Sequence, residues 1–333
     1  MISLANKYRP REFESVCDQK ALIKILERQV ETKSFSNCII FEGFSGCGKT
    51  TLARIFANKI NDGKGEPIEV DAASNSGVDN VRMITESAIE RSLDSVYKLF
   101  IIDEAHMITT AGWNAFLKCI EEPPKYTIFI FCTTDPQKIP LTIVNRCQVH
   151  HLSRINNQSI KDRLEYICKC ERYKYTYDAL DYITKLSEGS LRSAITYLDK
   201  CKDYSFDITL ENVIDCLGNY SYDIFFDITN SIIDGNRKNI MNIFDYLYHE
   251  GTDLKLFITK YLEFVLQLNK YCIFGDLNVT TIPAALEDKA KYTINIEDAS
   301  RFFSNYMEKI LKIKQSIKGD SDIKTTIEVM LLS

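Results

Sequence analysis

The chain has 333 residues, 45% of them hydrophobic, and a formal net charge of −5. That length exceeds one ordinary domain, so two or three are expected, each with enough apolar content for a core. The negative charge excludes a general nucleic-acid coat but leaves DNA binding open through helix N-termini or a local groove, and no apolar run approaches the ~18 residues of a membrane span. Met1-Ile2-Ser3-Leu4 leads into Lys7, Arg9, Pro10 and Arg11 without the apolar region of a signal peptide. The 11 cysteines are scattered, several inside apolar runs (Cys38, Cys132), a pattern expected of reduced thiols in a cytosolic compartment. Cys168-Lys169-Cys170 has the wrong spacing for zinc, and no second pair supports it.

In chain order, Gln19–Thr32 reads as a helix and Cys38–Phe41 as a short buried strand. Gly43-Phe44-Ser45-Gly46-Cys47-Gly48-Lys49-Thr50 follows and fits the phosphate-loop pattern G-x-x-x-x-G-K-[ST] at every position. Thr51-Leu52-Ala53-Arg54-Ile55-Phe56-Ala57 then has helical spacing, within an expected helix over Lys49–Ile60. Strand, glycine loop and helix start make an anion site, because loop and first-turn N–H groups point at the phosphates. Lys49 would reach the outer phosphates, and the Thr50 hydroxyl would sit on a magnesium ion. The competing reading is a glycine turn with a surface lysine.

Ile68–Asp71 reads as the next strand and Val78–Leu93 as the next helix. Lys98-Leu99-Phe100-Ile101-Ile102-Asp103-Glu104-Ala105-His106 holds four apolar residues followed by two carboxylates. This describes a buried strand, Leu99–Asp103, ending at the sheet edge where ligands of open α/β sheets gather. Asp103 would hold the magnesium ion through water, opposite Thr50, and Glu104 would polarise the attacking water. The alternative is a strand capped by solvated acids. His106 completes the string Asp-Glu-Ala-His, shared with a helicase class over four letters only, and reads as a local hydrogen-bonding residue. A helix at Ala111–Glu122 is stopped by Pro123-Pro124. Strands at Thr127–Thr133 and Gln148–Leu152 complete an alternation that predicts a parallel α/β sheet.

Beyond about residue 153 no further strands are expected. Asn157–Arg172, Thr176–Ser187 and Leu191–Lys202 read as a small helical bundle, and the remainder as helical too. Leu254, Phe257, Ile258, Tyr261, Leu262, Val265 and Leu266 keep the spacing of an amphipathic helix, predicting a core or subunit-interface stripe. The expected organisation is an α/β nucleotide-binding domain over 1–152, a helical lid over 153–204 and a helical collar or oligomerisation domain over 205–333.

A series of segments resembles the bacterial DNA polymerase III gamma/tau subunit, a clamp-loader member of the AAA+ ATPases. They are Lys7-Tyr8-Arg9-Pro10 with Phe13, Gly46-Cys47-Gly48-Lys49-Thr50, Glu69-Val70-Asp71-Ala72-Ala73-Ser74 and Ile102-Asp103-Glu104-Ala105-His106-Met107. Asn114-Ala115-Phe116-Leu117-Lys118, Glu121-Glu122-Pro123-Pro124 and Thr133-Thr134-Asp135-Pro136-Gln137-Lys138-Ile139-Pro140 follow, then Asn145-Arg146-Cys147 and Gly189-Ser190-Leu191-Arg192. They keep the family's order over residues 1 to about 200. The last 130 or so residues resemble the family collar chiefly at Asp322-Ile323-Lys324-Thr325-Thr326-Ile327-Glu328.

The resemblance implies an AAA+ RecA-like fold, ATP and Mg2+ as ligands, and roles for particular residues. Tyr8, Arg9, Pro10 and Val16 match the adenine-side segment, although an N-terminal arm folded on the domain explains them equally. The nucleotide contacts would run over Gly43, Phe44, Ser45, Gly46, Cys47, Gly48, Lys49, Thr50 and Thr51. Thr134, ahead of Thr133, matches the sensor 1 residue that orients water against the γ-phosphate. Arg146 matches an arginine that acts in trans on the neighbouring subunit's ATP, although the family's preceding serine is Asn145 here. Arg192 matches sensor 2 on the lid, although the family's partner aspartate is Ser193 here. The four-cysteine zinc insert of the bacterial subunit is missing: Asn61-Asp62-Gly63-Lys64-Gly65-Glu66-Pro67 bridges the gap, so no structural zinc is expected. No long extension of the tau form is expected either.

Partners implied are other clamp-loader subunits in a homo- or hetero-oligomeric, pentameric assembly, a sliding clamp and primer–template DNA, in the cytoplasm of a prokaryotic or phage-infected cell, with no membrane. Ser74, Asn75 and Ser76 could place backbone N–H groups on DNA phosphates, and a capped helix start explains the same residues. Two rival functions are a non-hydrolysing structural subunit of such an assembly and another AAA+ DNA-processing remodeller.

Overall fold

A computed structural model describes residues 3–217, 222–283, 286–318 and 322–332, so Met1 and Ile2 of the N-terminal reading lie outside the described residues. The chain divides into two compact units, Met1–Ile167 with Ser187–Asp199, and Cys168–Leu186 with Lys200–Ser333.

The first unit is built on a parallel five-stranded sheet in the order β2-β3-β4-β1-β5. The strands are β1 (Cys38–Gly43), β2 (Ile68–Asp71), β3 (Lys98–Asp103), β4 (Thr127–Thr133) and β5 (Gln148–Leu152). The helices are α1 (Leu4–Lys7), α2 (Lys20–Thr32), α3 (Lys49–Ile60), α4 (Val78–Ile89), α5 (Thr110–Glu121) and α6 (Leu141–Val144), and then α7 (Asn157–Glu171) begins. Strands buried on both faces read as continuous apolar runs, as β1, β3 and β4 do. Alternation along β1 sends Ile39 and Phe41 into a core with Leu52 and Phe56 of α3, while Cys38 and Ile40 enter a second core with Trp113 and Phe116 of α5. The edge strand β5 alternates instead, with His150 and Leu152 buried and Val149 and His151 exposed.

α4 stops at Ile89, four residues short of the expected Leu93, because Glu90 is already extended. Ser92 and Ser95 then bond to each other, to Asp94 N and to Tyr97 O, offering the chain local bonds in place of another helical turn.

The second unit is helical, with α8 (Tyr177–Leu186), the end of α9 (Leu191–Tyr204), α10 (Leu210–Cys216), α11 (Tyr222–Ile233), α12 (Arg237–His249), α13 (Leu254–Phe274), α14 (Glu287–Ile294), α15 (Ala299–Ser316) and α16 (Ile323–Leu332). Contrary to the all-helical expectation beyond residue 153, β6 (Lys174–Tyr175) and β7 (Asp207–Ile208) pair in parallel. A two-residue strand is too short to leave a periodic signal in sequence.

Along α13 the buried seam runs Leu254, Phe257, Ile258, Tyr261, Phe264, Val265 and Leu268. It passes through Phe264 and Leu268, while Leu266 of the expected stripe is 40% exposed. Tyr261 accepts from Tyr306 at 3.1 Å and shares a hydrogen with Thr229 at 3.0 Å, satisfying three hydroxyls inside the aromatic core. The collar-like segment Asp322–Glu328 forms the start of α16, where Lys324 Nζ lies 2.5 Å from Asp245 of α12. Among the described residues no helix is long and apolar enough to cross a membrane.

Candidate nucleotide site

β1 runs directly into the glycine loop. Gly46 and Gly48 have φ of +74° and +106°, in the left-handed region that favours glycine. Gly48 is the N-cap residue of α3, and no side chain caps that helix. Gly48 has no side chain to cap the first turn, whose N–H groups suit an anion. Lys49, only 6% exposed, donates through Nζ to Gly43 O at 2.9 Å and to Phe44 O at 2.8 Å. Those two bonds fix the ammonium against the loop.

Thr50 Oγ1 donates to Asp103 Oδ2 at 2.8 Å. The contact spans 53 residues, because β3 and β1 flank β4 and end on the same edge of the sheet. The other carboxylate oxygen, Oδ1, accepts from Glu104 N at 3.1 Å. Glu104 has φ +48°, an uncommon conformation for a non-glycine residue. Such backbone costs roughly 1–3 kcal/mol and marks places the surrounding structure over-determines. Its Oε2 accepts from Thr134 Oγ1 at 3.2 Å and lies 3.4 Å from His106 Nδ1. Thr133, buried one residue earlier, turns to His106 Nδ1 at 3.2 Å and accepts from Asp135 N. The two threonines thus meet the neighbouring His106 and Glu104 separately.

These groups open onto a cavity of about 270 Å³ inside the first unit. Ser45, Gly46, Cys47, Gly48, Lys49, Thr50, Thr51, Asp103 and Glu104 line it at one end, and Tyr8, Arg9, Pro10 and Val16 line it as well. Arg192, in the first turn of α9, also lines it. Gly43 and Phe44 do not: Gly43 packs on Leu152, and the Phe44 ring lies 3.9 Å beneath the Arg154 guanidinium. The turn before α9 reaches the loop closely enough that a Cβ on Gly46 would stand 2.2 Å from Ser190 Oγ.

Arg9 is held below its usual pKa, first by burial and then by the neighbouring charges of Arg54 and Arg192, with Glu69 and Asp103 acting the other way. Arg9 and Arg192 line the cavity beside the loop, where their positive charge favours an anion. Burial pushes the Cys47 thiol up, so it stays protonated inside the loop.

Arg146 stands apart from this lining. Its Nη2 lies 2.7 Å from Glu121 Oε1, and its Nη1 donates to Thr142 O at 2.6 Å. Ser74–Ser76 is folded around Asp71, whose carboxylate accepts from Ala73 N at 2.9 Å and Ser74 Oγ at 3.2 Å. α4 begins after Gly77 with no side-chain cap, so the capped helix start is not what these residues form.

Several lining residues carry no motif: Asn6 and Cys17 from the arm, Ile155, and Ile195, Thr196 and Asp199 from α9. Arg192, Ile195, Thr196 and Asp199 fall at i, i+3, i+4 and i+7, one face of the helix. That spacing was the available signal, but a mixed polar and apolar face does not stand out from a solvated one.

For a magnesium ion the donor set fits in kind. Thr50 and Asp103 are hard oxygen donors already in hydrogen-bond contact, and such ions complete their shell with water and substrate phosphates.

Two family profiles match the chain. One described as DNA polymerase III, delta subunit, covers residues 67–156, and one described as DNA polymerase III subunits gamma and tau domain III covers residues 208–332. The DNA polymerase III subunit gamma/tau of Mycoplasma genitalium is 32% identical over 296 residues, 82% of this chain and 50% of the relative. The DNA polymerase III subunit tau of Bacillus subtilis is 34% identical over 273 residues, 75% of this chain and 48% of the relative. The chain spans about half the length of the curated relatives it matches. Among solved structures, the Thermotoga maritima RuvB Holliday junction branch migration motor superposes with a TM-score of 0.53 at 20% identity, over 69% of this chain and 80% of that one. At that identity the likeness speaks for the AAA+ fold alone. With the gamma and tau profile on its helical end and gamma/tau relatives across most of its length, the chain belongs to the DNA polymerase III gamma/tau family.

Proposed function

We propose that this chain is an ATPase subunit of a sliding-clamp loader, using ATP binding and hydrolysis to place a DNA polymerase processivity clamp on primer–template DNA. The observation that carries the reading is the 2.8 Å contact between Thr50 and Asp103 beside Lys49, in a cavity that Arg192 also lines. Lys49 and the loop N–H groups bind the phosphates, and Thr50 and Asp103 hold Mg2+. When bound, the ion neutralises charge on the phosphate oxygens. Glu104, steadied by Thr134, orients and deprotonates the attacking water. Tyr8, Pro10 and Val16 pack on the base, and Arg192 closes on the phosphates from the lid.

In this reading Arg146 serves a neighbouring subunit's ATP. Its partly exposed position, outside its own cavity, supports that role. A site completed by a neighbour makes ATP a clasp within an oligomer, which we take to be pentameric and cytoplasmic. Its partners are other loader subunits, the clamp and primer–template DNA. The functional division we propose is 1–152 for nucleotide binding, 153–204 for the lid and 205–333 for the collar. Structural zinc has no part in it.

A DNA- and clamp-dependent ATPase assay tests the proposal. Turnover stimulated by both is expected. Stimulation by DNA with indifference to the clamp would favour a different AAA+ remodeller. No turnover in an otherwise assembled complex would leave a structural subunit.

A further inference from the structure

The arm before α2 walls one end of the cavity: Asn6, Tyr8, Pro10 and Cys17 all line it. Backbone and side-chain groups of the segment 153–166 hold the arm in place. Asp18 Oδ2 accepts from Asn156 N at 2.7 Å, and Oδ1 accepts from Ser159 Oγ at 2.7 Å. Gln19 bonds Ser153 in both directions, donating to its carbonyl at 2.8 Å and accepting from its N–H at 3.3 Å. Further along α7, Arg163 donates to Tyr8 O at 2.8 Å, and the Tyr166 ring meets Tyr8 edge-on at 6.3 Å. Ser159, Arg163 and Tyr166 fall at i, i+4 and i+7, so one face of α7 grips the arm.

Asp18 and Gln19 do this from an uncommon backbone. Their φ values are +57° and +55°, two consecutive non-glycine residues in the left-handed region. Such a pair persists where its surroundings hold it. The four bonds to Ser153, Asn156 and Ser159 are that hold.

We propose that Asp18 and Gln19 form a tied joint that positions the arm as the base-end wall of the nucleotide pocket, so that the wall moves with α7. The proposal rests on the nucleotide reading of that pocket. Asp18 does not line the cavity. It acts through Cys17, the lining residue beside it in the chain, and is a positioning residue.

The test uses the full chain carrying Asp18→Gly. Glycine adopts the left-handed backbone freely, so the substitution removes the tie without straining the fold. Two readouts are taken: affinity for a fluorescent ATP analogue with Mg2+, and trypsin cleavage in nucleotide-free protein at Lys7 and Arg11, both exposed. Loss of two charge-assisted hydrogen bonds predicts analogue affinity weakened about tenfold and arm cleavage accelerated by a similar factor. Asp18→Asn, which keeps an acceptor oxygen and tolerates this backbone, recovers most of both. Wild-type affinity and wild-type cleavage in Asp18→Gly would overturn the joint. Faster arm cleavage alongside no analogue binding by the wild type would uphold the tie and overturn the reading of the pocket.

Discussion

Thr134 Oγ1 donates to Glu104 Oε2 at 3.2 Å, joining the end of β4 to the carboxylate that follows β3. The same oxygen lies 3.4 Å from His106 Nδ1, so one end of the carboxylate is anchored by two groups. Glu104→Gln keeps the shape and removes the carboxylate proposed as the base. It is expected to bind ATP with near wild-type affinity while turnover falls about 10²-fold or more. Thr134→Ala should lower turnover less, roughly tenfold. Single-turnover hydrolysis set beside analogue binding checks both, and equal losses in binding and turnover would count against the assigned roles.

The Arg146–Glu121 pair yields a second expectation. If Arg146 works on a neighbour's nucleotide, Arg146→Ala should spare binding and cut turnover of the assembled complex by about 10³-fold. Intact turnover would remove the in-trans role. Glu121→Ala frees the guanidinium from its own chain, and because exposed ion pairs contribute about 0–1 kcal/mol, stability should barely change. Thermal melting tests that arm.

Gly46 permits the turn at Ser190 to lie on the glycine loop. Gly46→Ala adds a Cβ at φ +74° and 2.2 Å from Ser190 Oγ. A left-handed alanine alone costs about 1–2 kcal/mol, so melting should drop and nucleotide affinity weaken as Ser190 is displaced. Gly48→Ala meets no neighbouring atom, but its φ of +106° strains any side chain, so its melting should drop as well; unchanged melting and affinity in Gly46→Ala would contradict the close approach of Ser190 to the loop.

His150 on β5 is 9% exposed, its ring 5.8 Å from Phe41, and burial lowers its pKa. The unfolded chain then binds a proton more readily than the folded one, so stability falls as pH drops through the ordinary histidine value of about 6.5. Chemical denaturation at pH 7.5 and pH 5.5 should show this loss, and His150→Phe should reduce it. An unchanged pH dependence in the variant would assign the effect elsewhere.

Much of this architecture is legible in the sequence. Buried parallel strands are apolar runs, and the observed β2, β4 and β5 match the expected bounds residue for residue. The phosphate loop is a local pattern, as is the Asp103-Glu104 pair at a strand end. What stayed hidden depends on long-range placement. Sequence ranked Thr134 over Thr133 by resemblance, but only the pleat shows Thr133 turned to His106 and Thr134 to Glu104. Asp199 reaches Leu4 N across 195 residues at 3.1 Å, a contact no spacing announces. On α13 both Leu266 and Leu268 are apolar, and tertiary packing selects Leu268. The Asp18-Gln19 backbone was invisible because neither residue is glycine.

The central claim is that ATP at this site drives clamp placement. The most direct measurement is retention of a labelled sliding clamp on primed circular DNA by the assembled loader. The account predicts ATP-dependent retention with the wild-type chain, loss of loading with Lys49→Ala, and a clamp held but not released by the loader with Glu104→Gln. Equal clamp loading by wild type and Lys49→Ala would contradict it.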